Sequence, residues 1–222
     1  MKIGVAIPCY YGHINNLFSL LDSIDSQTIV PNKVVVSCSS TDKLDIIKKY
    51  NFELDIFVTN EKLNAAQNRN NAISKLLDMD YVTFMDADDI MHPQRIEILL
   101  DTIQKYDSDI ILHNYQTNPV NEVNIFEKIE DIKVRTNTLI QSWSGCITHI
   151  HGYDDRIDKI HHSQATVKNW ILHIIKFPEE PEFHTKEDCV FCYRIFSLPN
   201  IKHAYISNEL SYYVESRTGG IS

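Results

Sequence analysis

The sequence has no long apolar run and little positive charge, and each absence excludes a class of protein. No stretch approaches the ~20 consecutive apolar residues of a membrane-spanning helix, so we expect no transmembrane segment. The 21 Lys and Arg residues are outnumbered by 30 Asp and Glu residues, which gives a net charge of −9. A protein that binds nucleic acid through phosphate contacts needs a basic face, so we expect no nucleic-acid partner.

Cysteine pairs and targeting signals are also scarce. The five cysteines are an odd number and are scattered, which favours a reduced, cytoplasmic protein over a disulfide framework. Cys189 and Cys192 form a single CxxC sequence. We interpret them as two small apolar residues on one helix face and not as a metal or redox site. The N-terminal MKIGVAIPCYYGH lacks a small-residue cleavage site, so we expect no secretion signal.

The composition is that of an ordinary globular protein. Of the 222 residues, 43% are hydrophobic and 23% are charged, which argues against disorder. This length fits one domain and is ample for a sizeable core. We therefore predict a single domain over residues 1–222.

The first half alternates between apolar strands and amphipathic helices. Strands are predicted at residues 3–8, 33–38, 54–58, 81–85 and 109–113. Helices are predicted from residue 15 or 16, after residues 41–42, over 64–77, and after Pro93. This alternation indicates an α/β fold, with a parallel sheet covered by helices on both faces. Ligands of such sheets bind at the carboxyl ends of the strands.

The second half has a less regular pattern. Residues 114–165 show no sustained period and are interpreted as an irregular insertion on the acceptor side of a site. A helix is predicted over 188–198, followed by short strands near 203–206 and 210–214. The last residues, ESRTGGIS, contain two glycines, so we expect a mobile C-terminus.

The strongest chemical feature is the acidic sequence that follows the fourth strand. Asp86 and Asp88 are two residues apart, so in extended backbone they point the same way. Two such oxygen donors suit Mg²⁺ or Mn²⁺, which keep positions open for water and substrate phosphates. The alternative is a solvated acidic loop in which Asp89 caps the helix at Pro93.

A second pair of carboxylates, Glu187 and Asp188, lies at the start of the last helix. Such a position is compatible with a catalytic base, but an N-terminal cap explains it as well. Thr185 and Asp188 have the spacing of a capping box, and the helix dipole favours a carboxylate in the first turn.

A third candidate is Arg69, in the segment NAAQNRN that begins at Asn64. On a helix facing the crevice, this guanidinium group would bind a diphosphate or hold the acidic loop. The alternative is an ordinary exposed arginine.

Four histidines lie close together in the second half, at His149, His151, His161 and His162. They lack the i and i+4 spacing of a zinc site on a helix. We therefore interpret them as solvated loop residues.

Taken in order, these segments resemble glycosyltransferase family 2, whose members are inverting enzymes with the GT-A fold. The matching segments, spread over residues 3–198, are IGVAIPCYYGHINNLFSLLDSI, VVVSCSSTD, NAAQNRNNAI, YVTFMDADDIMHPQRIEIL and KEDCVFCYRI. The resemblance implies a hexosyltransferase-type enzyme with a nucleotide-sugar-binding half at residues 1–113 and an acceptor-binding half at residues 114–222.

The resemblance also implies which residues bind the nucleotide-sugar donor. Pro8 and Tyr10 would line the base and ribose, and Asp86 would contact the ribose or the metal. Arg69 would support the diphosphate or the acidic loop, and Asn64, at the start of the same helix, would face the donor.

One departure from the family concerns recognition of the base. The family often carries an Asp pair after the second strand, where this chain has Ser37 and Cys38. Ser39, Ser40 or Asp42 would take over that role, with Ser39 as our first choice and a UDP-sugar as the expected donor.

The implied mechanism is a single displacement that depends on Mn²⁺ or Mg²⁺. Asp88, with Asp86, would ligate the metal, which neutralises charge on the departing nucleoside diphosphate. Asp188 would be the general base that deprotonates a hydroxyl of a glycan or other acceptor. Loss of the usual Asp near Cys38 leaves an alternative open, namely a noncatalytic nucleotide- or sugar-binding module on the same fold.

Overall fold

The computed structural model describes residues 1–117, 126–136, 140–143, 146–151, 157–160 and 162–214, with only the backbone for 140–143, 146–151 and 157–159. Its strands are β1 Ile3–Tyr10, β2 Lys33–Ser39, β3 Glu53–Val58, β4 Tyr81–Phe84, β5 Ile90–Met91, β6 Ile110–Thr117, β7 Val134–Thr136, β8 Ile140–Trp143, β9 Cys146–His151, β10 Ile157–Lys159, β11 Thr166–Lys168 and β12 His203–Tyr213. Its α-helices are α1 Ile14–Asp25, α2 Ala65–Ser74, α3 Arg95–Tyr106, α4 Asn169–Leu172 and α5 Glu187–Phe196.

The central sheet has the order β3-β2-β1-β4-β11-β6-β12-β5, and β7 also pairs with β12. The first four strands in this order are mutually parallel, as the continuous apolar strands predicted. β11 then enters antiparallel between β4 and β6. β8, β9 and β10 form a separate antiparallel sheet. The α/β class is therefore confirmed, with antiparallel strands added from the second half.

Two apolar cores lie on opposite faces of the central sheet. On one face, Val5 and Ile7 pack with Leu17 of α1 and Leu99 of α3. On the other face, the core is formed by residues of β1, β4, α2, α4 and α5, including Ala6, Phe84, Ile73, Ile171 and Phe191. The alternation between Val5, Ala6 and Ile7 follows from the two-residue period of a strand. Because both faces are covered, a ligand can approach the sheet at the ends of its strands.

Local capping fixes the start of α2 at the cleft. The Asn64 side chain accepts a hydrogen bond from the Gln67 backbone N–H at 2.8 Å, and Gln67 Oε1 accepts from the Asn64 N–H at 2.9 Å. This is a reciprocal capping box. It orients the face of α2 that carries Asn68 and Arg69 toward the sheet.

One predicted helix is wrong. The segment after Thr41 has no regular secondary structure, and Ile47, expected on its apolar face, is 96% exposed. Ser40 has a positive φ of 59°, and the Thr41 hydroxyl donates to the Lys43 carbonyl and accepts from the Lys43 N–H. These local side-chain bonds compete with helical ones, which explains the failure.

The irregular insertion predicted over 114–165 is also largely wrong, because its described parts contain strands β7 to β10 and the end of β6. His149 and His151 lie on the strand β9 and not in a loop, and His162 is half-buried in a short 3-10 turn. Strands of three to six residues give too short a pattern to be recognised from one sequence.

The end of the chain differs in one respect. The two strands predicted near 203–206 and 210–214 form a single strand, β12, with register shifts against β6 around Glu209. The tail at 215–222 and His161 lie outside the described residues. Among the described helices, none is long and apolar enough to cross a membrane.

Candidate active site

A cleft of about 870 Å³ opens where β1, β2 and β4 end, at the edge that the parallel strands predicted. It contains residues from β1, from the segment after β2, from α2 and from the acidic loop after β4. The predicted site residues that line it are Pro8, Tyr10, Asn64, Arg69, Asp86 and Asp88. The structure thus brings together side chains from four separate segments of the first half.

Asp86 is held by two protein partners. Its Oδ1 accepts from Arg69 Nη2 at 2.7 Å, and its Oδ2 accepts from the Ser163 hydroxyl at 2.6 Å. Both carboxylate oxygens therefore already bond to side chains of the protein. The sequence predicted that Asp86 and Asp88 would together ligate a metal, and the observed bonds add that Asp86 is fixed by Arg69 and Ser163.

Arg69 is the cation that joins the acidic loop to the start of α5. It is only 4% exposed, and its Nη1 donates to Glu187 Oε1 at 2.7 Å while Nη2 donates to Asp86. Burial opposes its charge, but Asp86, Asp188 and Glu187 raise its pKa above the ordinary value. The sequence left two roles open for Arg69, and the observed contacts correspond to the second, which is to hold the acidic loop.

Asp88 lines the same cleft but has a different environment. Its Oδ2 lies 3.6 Å from His13 Nε2, which is longer than a normal hydrogen bond. Burial and the charge of Asp86 raise the pKa of Asp88, while His13 lowers it. Its negative charge is therefore poorly compensated by the protein, in contrast to that of Asp86.

Asp89 does not cap α3, which corrects the alternative drawn from the sequence. It is buried, and it accepts from the Val214 N–H at 3.2 Å and from Gln164 Nε2. Gln164 in turn accepts, through its carbonyl oxygen, from the fully buried Arg95. Burial raises the pKa of Asp89 well above its ordinary value. Asp89 thus ties the loop to β12 and to the 3-10 turn before β11.

The carboxylates at the start of α5 are not part of a capping box. Lys186 is at the N-cap, without a side-chain cap, so the predicted pairing of Thr185 with Asp188 is absent. Glu187 is buried against Arg69, and burial raises its pKa although Arg69 lowers it. Asp188 is half-buried, is close enough for its charge to act on Arg69, and does not line the cleft itself.

The end of β2 departs from the prediction in one detail. Ser39 is buried, and its hydroxyl accepts from Asn68 Nδ2 at 3.0 Å, while Ser37 donates to the Asn68 side-chain oxygen at 2.9 Å. The residue that lines the cleft is Ser40, whose left-handed backbone turns it away from the strand. Ser39 therefore supports α2, and Ser40 is the serine positioned to contact a ligand.

Comparison with known proteins identifies the family. Residues 5–174 match the sequence profile described as "Glycosyl transferase family 2". The chain belongs to this family. A curated relative, Glycosyltransferase GlyA of Streptococcus pneumoniae serotype 4 (strain ATCC BAA-334 / TIGR4), is 35% identical over 118 residues. That alignment covers 51% of this chain and only 17% of GlyA, so the chain spans a small part of this relative.

Solved structures of S. aureus TarS 1-349 share the fold of this glycosyl transferase family 2 domain. The complex with UDP has a TM-score of 0.69 at 20% identity, and it covers 97% of this chain and 61% of the TarS chain. The complex with UDP-GlcNAc has a TM-score of 0.71 at 19% identity, with 97% and 59% covered. These similarities confirm the predicted GT-A fold.

Several residues of this family 2 site were missed by sequence reasoning. His13 ends the short turn after β1, in the segment that the strand-end rule places at the crevice, but it was not chosen as a site residue. Ser163 and Gln164 hold the acidic loop from a segment that was interpreted as an irregular insertion. Only the tertiary structure brings that segment to the loop. Glu187 was noted, but its pairing with Arg69, 118 residues away, has no local signal.

The protein offers few ligands to a metal ion. Within the described part of the chain, no group of three or more His, Cys, Asp or Glu residues is placed to hold one. A cation here would rely on one or two protein donors, which is how Mg²⁺ is usually bound beside substrate phosphates. Asp88, which lines the cleft and has a poorly compensated charge, is one such donor.

Proposed function

We propose that this domain transfers a sugar from a nucleoside-diphosphate sugar, with UDP as the nucleotide, to an acceptor hydroxyl with inversion at the anomeric carbon. The observation that carries the proposal is the cleft at the strand ends, with Asp88 turned into it and the Arg69 network behind it. Membership of glycosyl transferase family 2 supports it, as do the TarS complexes with UDP and UDP-GlcNAc.

A bound Mn²⁺ or Mg²⁺ fits the charge balance of the site. The acidic loop and the start of α5 carry five carboxylates, namely Asp86, Asp88, Asp89, Glu187 and Asp188. Only two buried guanidinium groups, those of Arg69 and Arg95, lie among them to balance their charge. When bound, the cation would neutralise charge on the departing diphosphate. Asp88 would hold it from the protein side. Because Arg69 is occupied by Asp86 and Glu187, it is poorly placed to bind the phosphates itself.

The side chains around the cleft divide the remaining tasks. Pro8, Tyr10 and Ser40 would contact the base and ribose at the ends of β1 and β2, with Asn64 at the start of α2. Tyr10 packs against His13 with ring centroids 4.4 Å apart, which fixes the aromatic side of the cleft. Residues 1–113 would thus hold the donor.

Asp188 would act as the general base from the acceptor-binding half, residues 114–222. Its Oδ1 accepts from the Cys189 N–H at 2.6 Å, so Oδ2 is the oxygen that would take the proton from the acceptor hydroxyl. The adjacent Glu187 is bound to Arg69, which anchors this helix start to the acidic loop. The acceptor oxygen would then attack opposite the leaving diphosphate.

The proposal is tested by separating binding from turnover. We would measure UDP binding by calorimetry with and without Mn²⁺, and donor hydrolysis or transfer, in the wild type, Asp88→Asn and Asp188→Asn. Asp45→Asn, an exposed carboxylate paired with Lys43, is the matched control. Asp188→Asn should keep metal-dependent binding and lose about 10²–10⁴-fold in turnover. Asp88→Asn should lose the dependence of binding on Mn²⁺.

The outcomes distinguish the proposed enzyme from a noncatalytic binding module. Metal-dependent UDP binding without turnover over a broad panel of acceptors would favour the binding module. The position of Asp188 outside the cleft lining is also compatible with such a module. Wild-type turnover in both Asp88→Asn and Asp188→Asn would overturn the assigned roles.

We also propose that the domain works in the cytoplasm. Cys9 and Cys38 are free, buried thiols, which supports a reducing compartment. Extracting the protein with a thiol-alkylating reagent would test this, because alkylation of both cysteines after denaturation is the expected result, and a native disulfide that includes either one would contradict it.

A further inference from the structure

Two cysteines face each other at the base of the cleft. Cys9 on β1 and Cys38 on β2 are direct partners in the parallel register. Both are buried free thiols, at 3% and 0% exposure, and both belong to the same apolar core, so their side chains lie on one face of the sheet. The proposed transfer reaction uses neither of them.

The spacing of these strands suits a bond between the two sulfurs. Neighbouring strands lie about 4.7–4.9 Å apart, within the ~4.4–6.8 Å range of Cα separations that disulfides span. The contact between the thiols raises the pKa of Cys9 and lowers the pKa of Cys38. The two thiols are therefore close enough to interact directly.

One member of the pair is reached from the cleft. Cys9 lines the cleft between Pro8 and Tyr10, and the charge of Asp88 acts on its thiol. The Cys9 sulfur also contacts the Tyr10 carbonyl oxygen at 3.5 Å. A molecule as small as hydrogen peroxide can approach from this side, because the cleft is open to solvent.

We propose that Cys9 and Cys38 form a peroxide-sensitive dithiol site, which closes to a disulfide within the sheet. One of the two thiols loses its proton and its sulfur attacks one peroxide oxygen. The O–O bond breaks, the leaving hydroxide takes up that proton as water, and that cysteine becomes a sulfenic acid. The second sulfur then attacks the sulfur of the sulfenic acid, the S–O bond breaks, and the hydroxide leaves with the proton of the second thiol as a second water. The two sulfurs lose two electrons and the peroxide gains them.

The other described thiols provide an internal control. Cys189 and Cys192 lie one helical turn apart on α5, where the Cys189 sulfur is 3.7 Å from His162 Nε2 and the Cys192 sulfur is 3.7 Å from the His162 carbonyl oxygen. They are not cross-strand partners and do not line the cleft. The proposal therefore predicts selective oxidation of one pair in a protein with five cysteines.

Peptide mapping by mass spectrometry after mild peroxide treatment tests this site. The expected product is a peptide pair linked between Cys9 and Cys38, with the mass of two hydrogens lost, and it should revert with dithiothreitol. Cys9→Ser and Cys38→Ser should each abolish the link, while the Cys189→Ser/Cys192→Ser double variant and Cys146→Ser should keep it. If a serine variant fails to fold, Cys9→Ala or Cys38→Ala replaces it.

Two results would overturn the proposal: a link that joins other cysteines, or oxidation of Cys9 and Cys38 to separate sulfinic acids without a link. Because the readout is a mass and not a turnover rate, failure of the proposed transferase activity would not affect it.

Discussion

The two aspartates of the acidic loop that line the cleft differ more than their sequence suggests. Asp86 is bonded through both oxygens, to Arg69 and to Ser163. The ion-pair partner of Asp88 is His13, at the longer distance of 3.6 Å. Two residues of the same type, two positions apart, thus have different bonding, and Asp88 is the one without a short bond to another side chain among the described residues. In a DxD sequence, the partners of each carboxylate decide its role.

The largest effect is expected from removing Arg69, the cation that Asp86 and Glu187 share. In Arg69→Met, Asp86 and Glu187 would remain in a buried site without their partner. We expect a loss of about 3–5 kcal/mol in the free energy of unfolding, because an uncompensated buried charge is costly. Urea denaturation followed by circular dichroism measures it.

The matched control for this prediction is Lys48→Met. Lys48 pairs with Asp22 at 2.7 Å on the surface, where an ion pair contributes about 0–1 kcal/mol. Equal losses in the two variants would show that the Arg69 network is no more important than a surface pair.

The first half of the fold was predictable because its signals are local. The continuous apolar sequence of β2 and the 3.6-residue period of α1 each act within one segment. The helix predicted after Thr41 failed because one residue of positive φ and one hydroxyl redirected the backbone. In the second half, β11 is only three residues long and owes its place to β4 and β6, which no local pattern encodes.

The candidate site was predictable to the same extent. The strand-end rule placed Pro8, Tyr10 and Asp88 around one cleft. It could not distinguish Ser39 from Ser40, because that depends on one backbone angle. Nor could it find the second partner of Asp86, since Ser163 comes from a segment 77 residues away.

A smaller effect is expected from the second partner of Asp86. Ser163→Ala removes the hydroxyl that donates to Asp86 Oδ2 at 2.6 Å, in a residue only 2% exposed. Loss of a buried bond to a charged acceptor should destabilise the protein by about 1–3 kcal/mol. The control is Ser74→Ala, an exposed serine at the end of α2, which should stay within about 0.5 kcal/mol of the wild type. If both variants have the same urea midpoint, the bond to Asp86 adds nothing to stability.

The smallest effect, and the one of opposite sign, is expected at Asp88. Burial and Asp86 oppose the ionisation of Asp88, so its folded-state pKa is above the ordinary value of 3.8. A carboxyl group of this kind lowers stability at pH values above its raised pKa, and that penalty disappears as the pH falls below 3.8. Asp88→Asn without divalent cation should therefore be more stable than the wild type at pH 7, by about 1 kcal/mol or less. The gain should shrink toward pH 4.

Thermal unfolding of both proteins from pH 4 to pH 8 in EDTA measures this difference, with Asp45→Asn as the exposed control. Addition of Mn²⁺ and UDP should then reverse the order, because a ligand that binds only the folded wild type raises its stability. An Asp88→Asn variant that is less stable than the wild type at pH 7 in EDTA would mean that the bonds of Asp88, like those of Asp86, stabilise the fold. The contrast between Asp86 and Asp88 would then be lost.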